Sequence, residues 1–366
     1  MRLGVRAALV DGRLLDGDVE IEGDRVSRLG ARPPGAAGIA VPGFVDVHIN
    51  GFAGVDFLDA DADGYRRAGE ALAATGVTAF LPTLVSCPLD AYGEAVATVA
   101  SLGGCLRPRA LGIHLEGPFL SPRWAGAHDP RHLREPEPEL AHRLCADGPV
   151  RMMTLAPELP RAMEVIEGLS ARGIVVSCGH SDADAEIAHA AFDRGAEAIT
   201  HVHNAHRRWR PRDPGLGGVA VARPDVTVQA IVDHVHLAPE TAYATFLAAR
   251  GRFCLVTDAI EGAGLGSGDH RLGAATVRVT DGAPRLADGT LAGSVLTMDQ
   301  AVRNLTAMGA PLADAVHAAT RVPARLVGRP DLGVLHEGGT ADVAVLDDDL
   351  RVSRTVVEGV EVFTRA

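Results

Sequence analysis

Four apolar, strand-like runs in this chain close on residues able to hold a metal ion or carry a proton. They are ALGIHLEGP (110–118), GIVVSCGHSD (173–182), AEAITHVHN (196–204) and RFCLVTDAI (252–260), and their polar residues are Glu116, His180, His201 and Asp258. One carboxylate and two imidazoles leave the fourth position of a tetrahedral site open to water, the donor set of a catalytic zinc. A carboxylate within reach can take a proton from such a water and hand it to a leaving group. The pattern points to metal-assisted hydrolysis, with Asp258 as base and then acid. Each residue alone has a plainer reading, since strand-end glutamates are usually solvated or paired and strand-end aspartates often cap the next segment of chain. Their joint occurrence favours chemistry.

All 35 basic side chains of the Lys+Arg class are arginine. Without lysine there is no carbamate bridge between metals, no Schiff base and no internal aldimine. A net charge of -12 argues against nucleic acid as a partner, because the phosphate backbone calls for a basic face. The five cysteines, Cys87, Cys105, Cys145, Cys178 and Cys254, show no CxxC spacing and lie mostly in apolar runs. They read as reduced, buried thiols of a cytoplasmic protein. Strand alternation puts Cys178 on the same face as His180 but deeper, which makes it structural. The N-terminal MRLGVRAALVDGRLLDG turns polar too soon for a signal peptide or a membrane span, and no other stretch approaches span length.

Strand ends that deliver side chains to one point require repeated βα units. Ala-rich helical stretches, ADGYRRAGEALAATG, PRAMEVIEGLSARG, DADAEIAHAAFDRG and PETAYATFLAARG, alternate with the strand-like runs, each closing on a glycine suited to a helix end. The expected fold is α/β, a (β/α)8 TIM-like barrel over residues 43–336, preferred to an open doubly wound sheet because the polar candidates come after many different strands. Ser181, answered by Asp184, is expected to cap the helix after His180. The first barrel strand is expected within 42–57, with His48 and Asn50 on one face. Residues 1–42 and 337–366 share a hairpin texture (RAALV, DGRLL, GDVEIEGDRV; VAVLD, RVSRTVVEG, VEVF) and are expected to form one small β-sandwich from both termini. HDPRHLREPEPELAHRL reads as a loop leading into a helix.

The order PGFVDVHINGFAGVDF, HLEGPFLSPRWAGAH, GHSDAD, THVHNAH, DPGLGG, LVTDAI, LAGSVLTMDQAVRN and GGTADVAVLD resembles the N-acetylglucosamine-6-phosphate deacetylases of the amidohydrolase superfamily, nearly end to end. The resemblance implies removal of the N-acetyl group of N-acetylglucosamine 6-phosphate, giving glucosamine 6-phosphate and acetate. It implies a divalent metal, zinc first with iron or manganese as alternatives, on Glu116, His180 and His201, with Asp258 as proton carrier. His128 would touch the sugar or polarise the acyl carbonyl, and Asn204 and Ala205 would line the sugar pocket. Arg212 and His236 would hold the phosphate, supplied across the interface of a homodimer. Amidohydrolases often carry two histidines where His48 and Asn50 stand, so a second ion on His48 with Asp258 is weakened and one ion per subunit is favoured. The chain departs from the family pattern at His203, His206 and His234, which with His201 and His236 make an imidazole-rich patch. The alternatives are another N-acyl sugar, N-acetylgalactosamine 6-phosphate or a non-phosphorylated one, and a sugar-phosphate sensor without turnover.

Overall fold

A computed structural model describes residues 1–365 other than 147, and the side chain of Cys105 lies outside the described part. Eight strands form the barrel: Phe44–Ile49 (β1), Val77–Leu84 (β2), Ile113–Glu116 (β3), Val150–Leu155 (β4), Val175–Cys178 (β5), Ala196–Ile199 (β6), Thr227–Ala230 (β7) and Phe253–Leu255 (β8). Neighbours pair in parallel from β1 to β8. Beyond the strand ends the seam closes where Asp258 N donates to His48 O (2.8 Å) and Asn50 N to Ala259 O (2.8 Å). Every residue of β1 and β2 is buried, as expected of parallel strands covered on both faces. The first strand is shorter than the expected segment: it stops at Ile49, and Gly51–Phe52 with Val55–Asp56 make a separate small hairpin.

The barrel helices are Ala62–Ala73 (α1), Leu89–Ser101 (α2), Pro138–Leu144 (α3), Ala162–Ser170 (α4), Ala185–Asp193 (α5), Gly215–Ala222 (α6), Pro239–Ala248 (α7) and Met298–Ala307 (α8). Asp61 caps α1 by accepting from Gly64 N at 2.7 Å. Gly76, which returns the chain from α1 to β2, has φ 82°; a Cβ there would stand 2.8 Å from the Phe44 ring, so the turn needs glycine. The cap of α5 differs from expectation. Asp184, not Ser181, accepts from Ile187 N (3.0 Å), while Ser181 Oγ is drawn away to Glu158 (2.7 Å) by the pairing of its loop with the one after β6.

The two chain ends build one six-stranded sheet in the order Arg13–Asp16, Ala7–Val10, Ile39–Pro42, Val343–Leu346, Val352–Val357, Val360–Thr364. Its central contact is antiparallel, Ile39 opposite Leu346 and Pro42 opposite Val343. The hairpin Asp18–Glu22 and Arg25–Ala31 forms the other layer. Val19, Ile21 and Val26 pack with Val343, Val345 and Val356 into a core of their own. Arg109, beside β2, pairs with Asp342 and with Glu358 (3.0 Å), fastening this module to the barrel.

One element was not anticipated. After β8 the chain makes a three-stranded antiparallel sheet, Gly268–Leu272, Ala275–Thr280 and Ala283–Arg285. It buries Leu272, Val277 and Val279 against Val85, Ile260 and Ala292 at the mouth of the barrel. Cys87, Cys145, Cys178 and Cys254 are free and buried. Among the described residues no helix is long and apolar enough to cross a membrane.

Candidate active site

Glu116 is the last residue of β3, whereas His180, His201 and Asp258 stand two or three residues past the ends of β5, β6 and β8. This refines the expectation of strand-end delivery. Each of the three turns its side chain inward through left-handed backbone, with φ 49°, 24° and 50°. Such conformations cost of order 1–3 kcal/mol each and persist where neighbours over-determine them. Ser181 N donates to Ala205 O (3.2 Å) and Arg207 N to Ser181 O (2.8 Å), tying the two histidine loops together.

His180 Nδ1 lies 2.9 Å from Trp124 O, and His201 Nδ1 lies 3.1 Å from Asn204 O. A carbonyl only accepts, so both Nδ1 atoms carry the hydrogen and both Nε2 atoms present lone pairs. Those lone pairs meet 3.0 Å apart, each 3.1 Å from Glu116 Oε1. Three electron-rich atoms in contact repel one another unless a cation lies among them. The donor set therefore fits a divalent metal ion. Glu116, His180 and His201 make one such group, and His48, Glu116 and Asp258 make another.

His48 Nε2 is 3.4 Å from Glu116 Oε2 and 3.3 Å from Asp258 Oδ1, and its Nδ1 is 3.0 Å from Thr200 Oγ1. Burial lowers the His48 pKa, yet the Glu116 and Asp258 carboxylates outweigh it and hold the imidazole well above its ordinary range. Burial raises Glu116 in turn, and the His48 charge with the hydrogen bond from His128 brings it well below. Asp258 is raised by burial and brought below the usual carboxylate value by His48. Asn50 Nδ2 donates to Asp258 Oδ1 at 2.6 Å, so the residue standing in place of a second histidine binds the carboxylate.

His128 is a preset donor. Ser86 N donates to its Nδ1 (3.1 Å), which leaves the hydrogen on Nε2, 3.4 Å from Glu116 Oε2. His114, two residues before Glu116, is a core histidine between Thr83 (3.2 Å) and Thr154 (2.7 Å); burial lowers its pKa well below the ordinary value.

Asn50, Glu116, His128, His180, His201 and Asp258 line an open cavity of ≈ 320 Å³ with Asn204, Ala205, Ile231, His236 and Leu272, at the lower end of the size range of small-molecule sites. His236 lines the same chain's cavity. Asp233 holds it there through His236 N (2.8 Å) and Nδ1 (2.7 Å), folding the turn back over its own barrel. Arg212 is exposed and outside the cavity. Of the histidine patch, His206 is buried, donating to Thr200 O at 3.0 Å; His203 stacks on Trp209 with ring centroids 6.0 Å apart; His234 is exposed. None of these three lines the cavity.

A model of the Amidohydrolase family matches residues 39–362. The N-acetylglucosamine-6-phosphate deacetylase of Homo sapiens is 42% identical over 338 residues, covering 88% of this chain and 82% of that protein. This chain belongs to the N-acetylglucosamine-6-phosphate deacetylases of the amidohydrolase family. The Mycobacterium smegmatis deacetylase, solved as an aspartate-to-alanine variant in complex with N-acetyl-D-glucosamine-6-phosphate, superposes with TM-score 0.93 at 36% identity, covering 98% of each chain. An N-acetylgalactosamine-6-phosphate deacetylase of Escherichia coli O157:H7 is 34% identical, covering 88% of this chain and 87% of that protein.

Against this family background, several cavity residues escaped sequence reasoning, Arg123 and Trp124 among them. Arg123 donates to Asp182 (2.7 Å) and Trp124 Nε1 to the same carboxylate (2.9 Å), and both line the rim. Their position in SPRWAGAH, between Glu116 and His128, was the available signal. Leu272 and Leu291 reach the cavity from the inserted sheet and the loop after it, through contacts that no local pattern encodes.

Proposed function

We propose that the protein hydrolyses the N-acetyl group of N-acetylglucosamine 6-phosphate, releasing glucosamine 6-phosphate and acetate. The observation that carries this reading is the convergence of Glu116 Oε1 and the two Nε2 lone pairs beside Asp258 and the His128 donor. Glu116, His180 and His201 would hold a divalent ion, zinc before iron or manganese. When bound, such an ion polarises a carbonyl and acidifies water. The chain's own residues do the rest. His128 Nε2–H donates to the amide oxygen as negative charge gathers there. Asp258 takes a proton from the attacking water and returns it to the sugar nitrogen when the C–N bond breaks. Asn204, Ala205 and His236 face the sugar.

One ion per chain is the favoured count, because the Asn50 amide already occupies Asp258 Oδ1. Metal analysis of protein purified without added metal checks this, and two tight equivalents per chain would sink it. Arg212, exposed in its own chain, is assigned to the phosphate of a partner's substrate in a homodimer, since a guanidinium fork matches phosphate oxygens. The reading includes a cytoplasmic setting, supported by the free thiols.

The test is a panel of N-acetylglucosamine and N-acetylgalactosamine, each with and without the 6-phosphate, assayed for acetate release. The 6-phosphate of the gluco sugar is expected to be the best substrate, and Asp258→Asn is expected to lose about 10³-fold or more in kcat. Equal turnover of free N-acetylglucosamine would refute the phosphate assignment. Absence of turnover on every sugar would leave a sensor.

A further inference from the structure

The catalytic cavity does not end at His128. A second, open chamber of ≈ 470 Å³ lies beside it, and the two share Val85, Gly126, Ala127, His128 and Leu272 as a common wall. Leu58, Cys87, Pro88, Ala274 and Leu286 give the chamber apolar lining, while Asp129, Arg131 and Asp288 mark its polar side. Acetate release alone gives this space nothing to do.

The amide being cleaved fixes which part of a substrate would face that wall. Its trigonal carbon bears an oxygen, a nitrogen and the acyl carbon. The oxygen belongs with His128 Nε2 and the nitrogen with Asp258. The sugar continues from the nitrogen towards Asn204, Ala205 and His236. The acyl carbon is left to point away from the sugar, at the side formed by Val85, Ala127 and Leu272. That side is apolar, and Ala127 is small.

We propose that the second chamber receives the acyl chain, so that N-acyl amino-sugar 6-phosphates with short aliphatic groups beyond acetyl, such as N-propionyl and N-butyryl, are also substrates. This rests on the deacetylase reading. The reaction is the same: water adds its oxygen to the acyl carbon, the C–N bond breaks, and the products are the fatty carboxylate and the amine. Leu272 is carried by the inserted sheet and Val85 comes directly after β2, so the width between chambers is set by how closely those two elements pack.

The experiment compares N-acetyl-, N-propionyl- and N-butyrylglucosamine 6-phosphate on the metal-loaded enzyme. The expected result is kcat/KM for the butyryl substrate within about tenfold of the acetyl one, small for two added methylenes against a closed wall. Ala274→Trp and Leu286→Trp, which fill the second chamber without touching the first, are expected to leave acetyl hydrolysis unchanged and to lower butyryl hydrolysis by at least about tenfold. Retained acetyl turnover certifies that either variant is folded. Butyryl hydrolysis more than about a hundredfold below acetyl in the parent, or unaltered in both variants, overturns the inference while the deacetylase reading stands. Should the parent cleave none of the three, that reading falls and the acyl chamber falls with it.

Discussion

At the scale of single residues, the site is defined by which nitrogen of each histidine carries its hydrogen. Backbone carbonyls take the Nδ1 hydrogens of His180 and His201, whereas a backbone amide takes the Nδ1 lone pair of His128. Two imidazoles thereby present lone pairs and one presents a hydrogen, with no change of residue type. His128→Phe keeps much of the ring volume and deletes the donor. It is expected to lose about 10²–10³ in kcat with metal content unchanged, as read by steady-state kinetics and elemental analysis. A variant that also lost its metal would show His128 acting as a ligand instead. That Glu116, His180, His201 and Asp258 come together was legible because each closes an apolar run. The tautomers were not, since Trp124, Asn204 and Ser86 are fixed only by folding. The hydrogen bond from Asn50 to Asp258 likewise joins positions more than 200 apart in the chain.

At the scale of elements, the loops after the strands are braced against each other. Gly293 sits at φ 61°, and a Cβ there would stand 2.6 Å from the Ile260 side chain and 2.8 Å from Asp258 O. Gly293→Ala must displace the turn that aims Asp258, and a 1 Å misplacement is worth about 10²-fold in rate. A kcat loss of about that size is expected with KM little altered; parent-like kinetics would mean the turn yields without moving the carboxylate. Asp56 braces the inserted sheet by accepting from Gly273 N (2.6 Å) and Leu58 N (2.9 Å), and burial raises its pKa to about 6. Because the folded pKa is raised, the folded state keeps a proton that the unfolded chain releases between about pH 4 and 6, and stability from this group falls as pH rises through that window. Asp56→Asn removes the dependence. Its destabilisation, measured by urea titration, is expected to be about 1 kcal/mol greater at pH 5 than at pH 7.5. The barrel and the terminal sheet were readable from runs, turns and glycine stops. The inserted sheet was not read, although TVRVT before an Asp-Gly pair carries strand alternation, because it comes after the last barrel strand where a helix was due.

At the scale of the whole molecule, the one residue expected at the substrate but left outside its own chain's cavity is Arg212. If it serves a partner's substrate, Arg212→Ala should raise KM for the phosphorylated sugar. Mixing Arg212→Ala chains with Asp258→Asn chains under conditions that exchange subunits should then restore about a quarter of parental activity, since half the dimers are mixed and each holds one whole site. No recovery would show that Arg212 acts within its own chain or not at all.

The terminal sheet has a consequence in time. Ile39–Pro42 is made early, yet its central partner, Val343–Leu346, lies about 300 residues later (343 − 42). At about 5–20 residues per second of synthesis, that edge waits for roughly 15–60 s with its hydrogen-bonding groups open. Such an edge can recruit any strand it meets, so a nascent chain is open to edge-to-edge pairing until Val343–Leu346 emerges.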